Sequence, residues 1–211
     1  MNKFKTRFLL IAALLVGMAA QAAPIDDLVM AAELDDGYNI TRLLLRGVDP
    51  NVKDARGRLA LEIAMREDSS KALESLLAAP GLDVNSPNAK GETPLMLAAL
   101  KGRLDWVQSL VKRGSAVNRE GWTPLHYACS GPDNGVAAWL LSQGANINAR
   151  SPNGSTPLML AAGYGAIDLP ALLLKAGADG SLRNQQGLAA ADFAIKAGRD
   201  DVHQKLMPKL R

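Results

Sequence analysis

Three side chains in this 211-residue sequence carry the chemistry most often used for catalysis: His126, Cys129 and His203. His126 and Cys129 stand three positions apart, so on a helix they share a face and form a candidate base–nucleophile pair. Such a pair would suit a redox or small-molecule role. Cys129 is the single cysteine, so no intrachain disulfide can form. His203 follows Asp200 and Asp201, a ligand set too small for a metal site and better read as a solvated helix face. Gly163-Tyr164-Gly165 has the spacing of a nucleotide loop but lacks the later glycine and the preceding strand. No phosphate loop, metalloprotease motif or nucleophile elbow occurs. The expectation is a non-enzymatic chain that uses no cofactor and no metal.

The elements that hold these residues must be built from an aromatic-poor chain. Hydrophobic residues make up 48%, charged residues 21% and aromatic residues 4%, which fits a globular core of alanine and leucine in closely packed helices. The N-terminus is different. Lys3, Lys5 and Arg7 precede an apolar run from Phe8 to Ala20, and Ala20-Gln21-Ala22 matches a small-x-small cleavage site. The run is too short to span a bilayer, which takes about 20 apolar residues. Residues 1–22 are thus expected to be a signal peptide, and residues 23–211 a domain in the periplasm of a Gram-negative bacterium with no membrane insertion after cleavage. Cleavage would take the formal charge from +3 to neutral. A neutral chain has no bulk electrostatic attraction to nucleic acid or to an anionic membrane.

Aligning the glycines reveals a repeat. "GRLALEIA" begins at Gly57, "GETPLMLA" at Gly91, "GWTPLHYA" at Gly121, "GSTPLMLA" at Gly154 and "GLAAADFA" at Gly187, in steps of 34, 30, 33 and 33. A second series, from "LLLRGVDPNV" to "LLLKAGADGSL", runs in phase with it. Periods of this size denote a solenoid. Thr93, Thr123 and Thr156 can cap helix N-termini, with Pro94, Pro124 and Pro157 at the first helical position. Leu95, Leu125 and Leu158 begin the apolar face, and Ala98, Ala128 and Ala161 permit close helix approach. Gly47, Gly114, Gly144 and Gly177 are placed to stop the second helices.

On these segments the chain resembles an ankyrin-repeat protein of an exported bacterial type. The resemblance implies an all-α-dominated repeat solenoid of about six helix-turn-helix units with short β-turn fingers, near 23–54, 55–88, 89–118, 119–151, 152–184 and 185–211. The first unit lacks the Thr-Pro-Leu motif, the second has Leu59-Ala60-Leu61-Glu62 in its place, and the last is charged, as a terminal cap requires. Pro132 and Pro170 predict irregular starts for two second helices. The resemblance also makes His126 the histidine that bonds the threonine hydroxyl and nearby backbone. It places Cys129 at a buried position normally held by alanine.

What remains is binding by surface. The resemblance implies a face made of fingers and inner helices. On it fall Arg56, Arg58, Arg66 and Glu67; Lys90, Glu92, Leu100 and Lys101; Arg119, Glu120, Trp122 and Ser130; Asn153, Ser155 and Tyr164; Gln185 and Gln186. Trp122 follows its finger glycine directly, and that finger is three residues shorter than the next. An exposed tryptophan beside a notch would anchor a partner; folded over the turn, it would only fill its own gap. The expected partner of this monomeric domain is another protein, bound through this face. An alternative is a redox or small-molecule role through Cys129 and His126, and another is an accessory role that protects an envelope enzyme.

Overall fold

Thr-Pro-Leu starts an inner helix three times in the computed structural model, which describes residues 26–207. Thr93, Thr123 and Thr156 are extended, and each Oγ1 accepts the backbone N–H three residues on, at 3.4 Å. The following proline has no N–H to leave unsatisfied. The described residues form twelve helices: α1 (26–33), α2 (Gly37–Leu45), α3 (Ala60–Arg66), α4 (Ser70–Leu77), α5 (Pro94–Leu100), α6 (Leu104–Lys112), α7 (Pro124–Ala128), α8 (Asn134–Ser142), α9 (Pro157–Gly163), α10 (Leu169–Lys175), α11 (Ala190–Lys196) and α12 (Asp200–Leu206). Helices this short do not persist alone in water; packing sustains them. The repeat solenoid anticipated from the sequence is what forms. Residues 1–25, which include the proposed signal, lie outside the described residues.

The chain divides into two compact units. The first holds α1–α4, ending at Asp83 with Asn88–Gly91 added. α2 packs on α4, and Ile40, Leu43, Leu73 and Leu76 are buried there. Asp35 Oδ1 accepts the Ala72 N–H at 2.9 Å, and Ser75 Oγ donates to the Gly37 carbonyl at 3.0 Å. The finger carries an antiparallel bridge between Lys53 and Leu59. Inside it the buried Asp54 accepts the backbone N–H groups of Arg56 and Arg58.

The second unit holds α5–α12. Inner helices α5, α7, α9 and α11 stack in sequence, and each pairs with its outer partner. Leu95, Leu125 and Leu158 are buried at these contacts, together with Ala98, Ala128 and Ala161. Gly114 ends α6 with φ 94°, a left-handed stop open to glycine at little cost. Of the two proline-marked helix starts, α8 is an ordinary capped start with Pro132 outside the helix, and only α10 is irregular. Asp133 caps α8 through Gly135 N at 2.7 Å, whereas α10 starts with Pro170 in its first turn and no side-chain cap. On α12, Asp200, Asp201, Gln204 and Lys205 are exposed, in keeping with a terminal cap.

Asparagines tie neighbouring repeats together within each unit. Asn51 donates to the Gly81 carbonyl at 2.8 Å and accepts from Asp83 N at 2.7 Å. Asn118 does the same with Gly144 O and Asn146 N, both at 2.8 Å, and Asn85 with Gly114 O and Ala116 N. Each amide thus satisfies a carbonyl at the next helix terminus, which has no partner inside its own helix.

Candidate functional site

The site is built on α7, whose motif differs from its neighbours in two letters. In α5 and α9 the fourth motif residue is methionine, and its sulfur accepts the threonine N–H, from Thr93 at 3.4 Å and from Thr156 at 3.3 Å. In α7 that residue is His126. Its Nδ1 accepts the Thr123 N–H at 3.2 Å and the Thr123 hydroxyl at 2.8 Å. Nε2 therefore carries the proton and donates to the Ser155 carbonyl of the next repeat at 3.0 Å. The ring is fully buried. Burial holds the imidazole below the usual histidine range, outweighing the backbone hydrogen bonds that favour the charged form. His126 is a neutral clasp between repeats.

Cys129 caps the end of α7 and is also fully buried. Burial pushes its thiol far above the ordinary value, so no thiolate is available to serve as a nucleophile. Neither ring nitrogen of His126 faces it with a free valence. The two residues share a helix but form no base–nucleophile pair. A side chain on Gly165 would collide with the Cys129 carbonyl, so the Gly163–Gly165 segment is a close backbone crossing and not a phosphate loop. His203 Nδ1 lies 3.3 Å from the Ala191 carbonyl, inside the last repeat. Among the described residues no group of three or more His, Cys, Asp or Glu side chains is placed to hold a metal.

Trp122 is half-buried, between the exposed anchor and the gap-filling ring that the sequence left open. Gly121 turns the chain just before it with φ 75°. The indole meets the His126 ring edge-on, with centroids 5.3 Å apart, and the Tyr127 ring at 6.5 Å. Beside it opens an apolar pocket of about 190 Å³ lined by Leu100, Trp122, His126, Tyr127, Ser130 and Leu160. Three inner helices and one finger contribute to it, all within the second unit. The Tyr127 hydroxyl donates to Glu92 at 3.1 Å. Burial first, then the Glu92 charge, pushes that phenol up to about 12. The Ser130 hydroxyl donates to the His126 carbonyl at 3.2 Å. Among the described residues no pocket-wall side chain is charged.

The other anticipated surface residues are distributed as follows. Glu92 and Lys101 are half-buried, and Arg119 and Glu120 are exposed on the short finger. Arg119 Nη1 lies 4.0 Å from Met96 Sδ, and its charge acts on Tyr127. Tyr164 caps α9 with 66% of its surface exposed and does not line the pocket. Ser155 is buried, and its carbonyl accepts from His126 at 3.0 Å. Arg56, Arg58, Arg66 and Lys90 belong to the first unit. Arg58 is committed there to the finger's own network: it donates to Asp54 at 2.7 Å and to Glu33 at 2.6 Å. Arg66 pairs with Glu67 at 3.0 Å, while Arg56 and Lys90 are exposed.

Two pocket residues, Tyr127 and Leu160, escaped the sequence reading. The signal was present: Leu97, Tyr127, Leu160 and Phe193 all stand six positions after a finger glycine, and all four are half-buried. In the first unit the same column holds Ile63, which is fully buried, so the half-buried stripe belongs to the inner helices of the second unit.

Comparison with known proteins points the same way. A model of ankyrin repeats, in three copies, matches residues 28–118, 61–151 and 133–210. The chain is 35% identical over 165 residues to the nuclear factor NF-kappa-B p105 subunit of Mus musculus, covering 74% of this chain and 17% of that protein. It is 35% identical over 154 residues to the B-cell lymphoma 3 protein of Homo sapiens, covering 69% and 34%. It is 30% identical over 190 residues to the human transient receptor potential cation channel subfamily A member 1, covering 84% and 17%. The chain therefore spans only a sixth to a third of these relatives' lengths.

Proposed function

Because the chain belongs to the ankyrin-repeat family, whose repeats generally mediate protein–protein interaction, we propose that it is a non-enzymatic module that binds a partner protein through the finger and inner-helix face of its second unit. The observation that carries this is the pocket beside Trp122. It is a mainly apolar concavity assembled from side chains of three successive repeats, the kind of surface into which a partner's anchor residue packs. The buried thiol of Cys129 argues against a redox role.

We further propose export to the periplasm of a Gram-negative bacterium, on the strength of the charged start, apolar run and Ala20-Gln21-Ala22. There the partner would be an envelope protein, and an enzyme kept stable by binding is one form of that role. Among the described residues no helix is long and apolar enough to cross a membrane.

The test is photocrosslinking in cells. A photoreactive residue at position 119, on the finger, should give protein adducts, while one at Gln108, on the outer helix α6, should not. Equal labelling from both positions, or none from 119, would overturn the binding face. Mass spectrometry of the envelope fraction should find an N-terminus at or near Ala23; a chain still starting at Met1 would overturn export.

A further inference from the structure

We propose that the pocket beside Trp122 receives one uncharged apolar side chain, a leucine, methionine or phenylalanine, presented by a segment of the partner protein. This rests on the protein-binding reading above and deepens it.

Size comes first. The cavity measures about 190 Å³. Sites for cofactors and drug-sized ligands run to about 300–1,000 Å³. An enclosed apolar cavity of about 150 Å³ takes a benzene ring. The space here fits one large side chain and not a cofactor.

Polarity comes second. Four wall residues carry polar groups, and three of them are already engaged. His126 has both ring nitrogens in hydrogen bonds. The Tyr127 hydroxyl is held by Glu92, and the Ser130 hydroxyl by the His126 carbonyl. A charged side chain entering the pocket would exchange its water for at most the lone pairs of two hydroxyls and one indole N–H, with no opposite charge in the wall, at a cost of several kcal/mol. An apolar side chain loses only unfavourable hydration. The remaining wall donor, the indole N–H of Trp122, makes no hydrogen bond among the described residues.

Charge at the approach comes third. No charged residue lines the pocket, yet Glu92 touches Tyr127 and the short finger places Arg119 and Glu120 just before Gly121 and Trp122. The complementary segment is an apolar residue between polar neighbours of both signs. Those flanking charges would set on-rate and salt dependence, and the anchor would set residence time.

The direct test uses capped single amino acids with the full chain. N-acetyl amides of leucine, methionine and phenylalanine, and of lysine and aspartate, are titrated at millimolar concentration. The three tryptophan indole N–H signals are followed by NMR, with Trp122 assigned through Trp122→Phe. The apolar amides should shift the Trp122 signal saturably, and the charged amides should not. In Leu100→Glu, at a 40% exposed position on the pocket wall, the apolar amides should bind at least about tenfold more weakly with an unchanged thermal midpoint. Equal shifts from lysine and leucine amides, or no shift from any, would overturn the proposal.

A second arm separates the two levels of inference. Leu100→Glu is combined with the photoreactive residue at position 119. Loss of the adduct supports the pocket as the anchor site. A retained adduct overturns the pocket proposal but leaves the binding face standing. No adduct even with an intact pocket overturns the binding reading itself.

Discussion

Replacing His126 tests the clasp between repeats and grades it. His126→Met gives α7 the residue that α5 and α9 use, keeping a weak sulfur acceptor for the Thr123 N–H but losing the Nε2 bond to Ser155. The Ser155 carbonyl still accepts from Ser151 N, so it is not orphaned, and the loss is one hydrogen bond with its packing, about 1–2 kcal/mol. His126→Leu also removes the acceptor for the buried Thr123 N–H, an unsatisfied donor worth about 1–3 kcal/mol, and should cost about 2–4 kcal/mol in all. Urea unfolding followed by far-UV circular dichroism measures both. The pH dependence follows from burial of the ring. The folded imidazole titrates below the unfolded value of 6.5, so as pH falls below 6.5 the unfolded chain takes the proton first. The stability contributed by neutral His126 is complete above pH 6.5 and is lost progressively as pH drops toward the folded value. Wild type should therefore lose more stability than His126→Leu between pH 7.5 and 5. If His126→Leu is as stable as wild type, or if the two proteins share one pH profile, the clasp argument is refuted.

Leu125→Ala or Leu158→Ala, at fully buried inner-helix positions, should cost about 2–5 kcal/mol in the same assay, and near-neutral values would mean that the repeat contacts are misassigned. Asn118→Ala removes a donor and an acceptor from the next repeat, partly exposed to water, and should cost about 1–2 kcal/mol; a change below a few tenths would reduce the asparagine tie to decoration. Cys129 should be unreactive toward a thiol reagent at pH 8 in the folded protein and react fully in denaturant, and rapid labelling of the native state would reopen the redox alternative.

The fold was legible because its signals are local and periodic. Threonine, proline and glycine at fixed offsets each specify a backbone conformation, and the structure puts those residues to the expected use. What depends on neighbours distant in sequence was not legible. Arg58 reads as a surface cation until Glu33, 25 residues upstream, is brought against it. The finger asparagines read as turn formers, yet their amides reach about thirty residues forward, to the next repeat. Trp122 reads as an exposed or a gap-filling ring beside a short finger; its contacts with His126 and Tyr127 depend on the turn at Gly121. The pocket needed Leu100, Tyr127 and Leu160 together, and only the stacking of repeats supplies that.

The most direct test of the central claim is the affinity of Trp122→Ala for the protein crosslinked from position 119, measured alongside its thermal midpoint. An anchor in this pocket is worth at least about 2 kcal/mol, so binding should weaken about thirtyfold. Removing the two edge-on ring contacts, each about 0.5–1.5 kcal/mol, should lower the midpoint by about 2–12 °C. Binding within twofold of wild type, with a midpoint lowered to the same extent, would show that Trp122 merely fills its own notch and that the partner sits elsewhere.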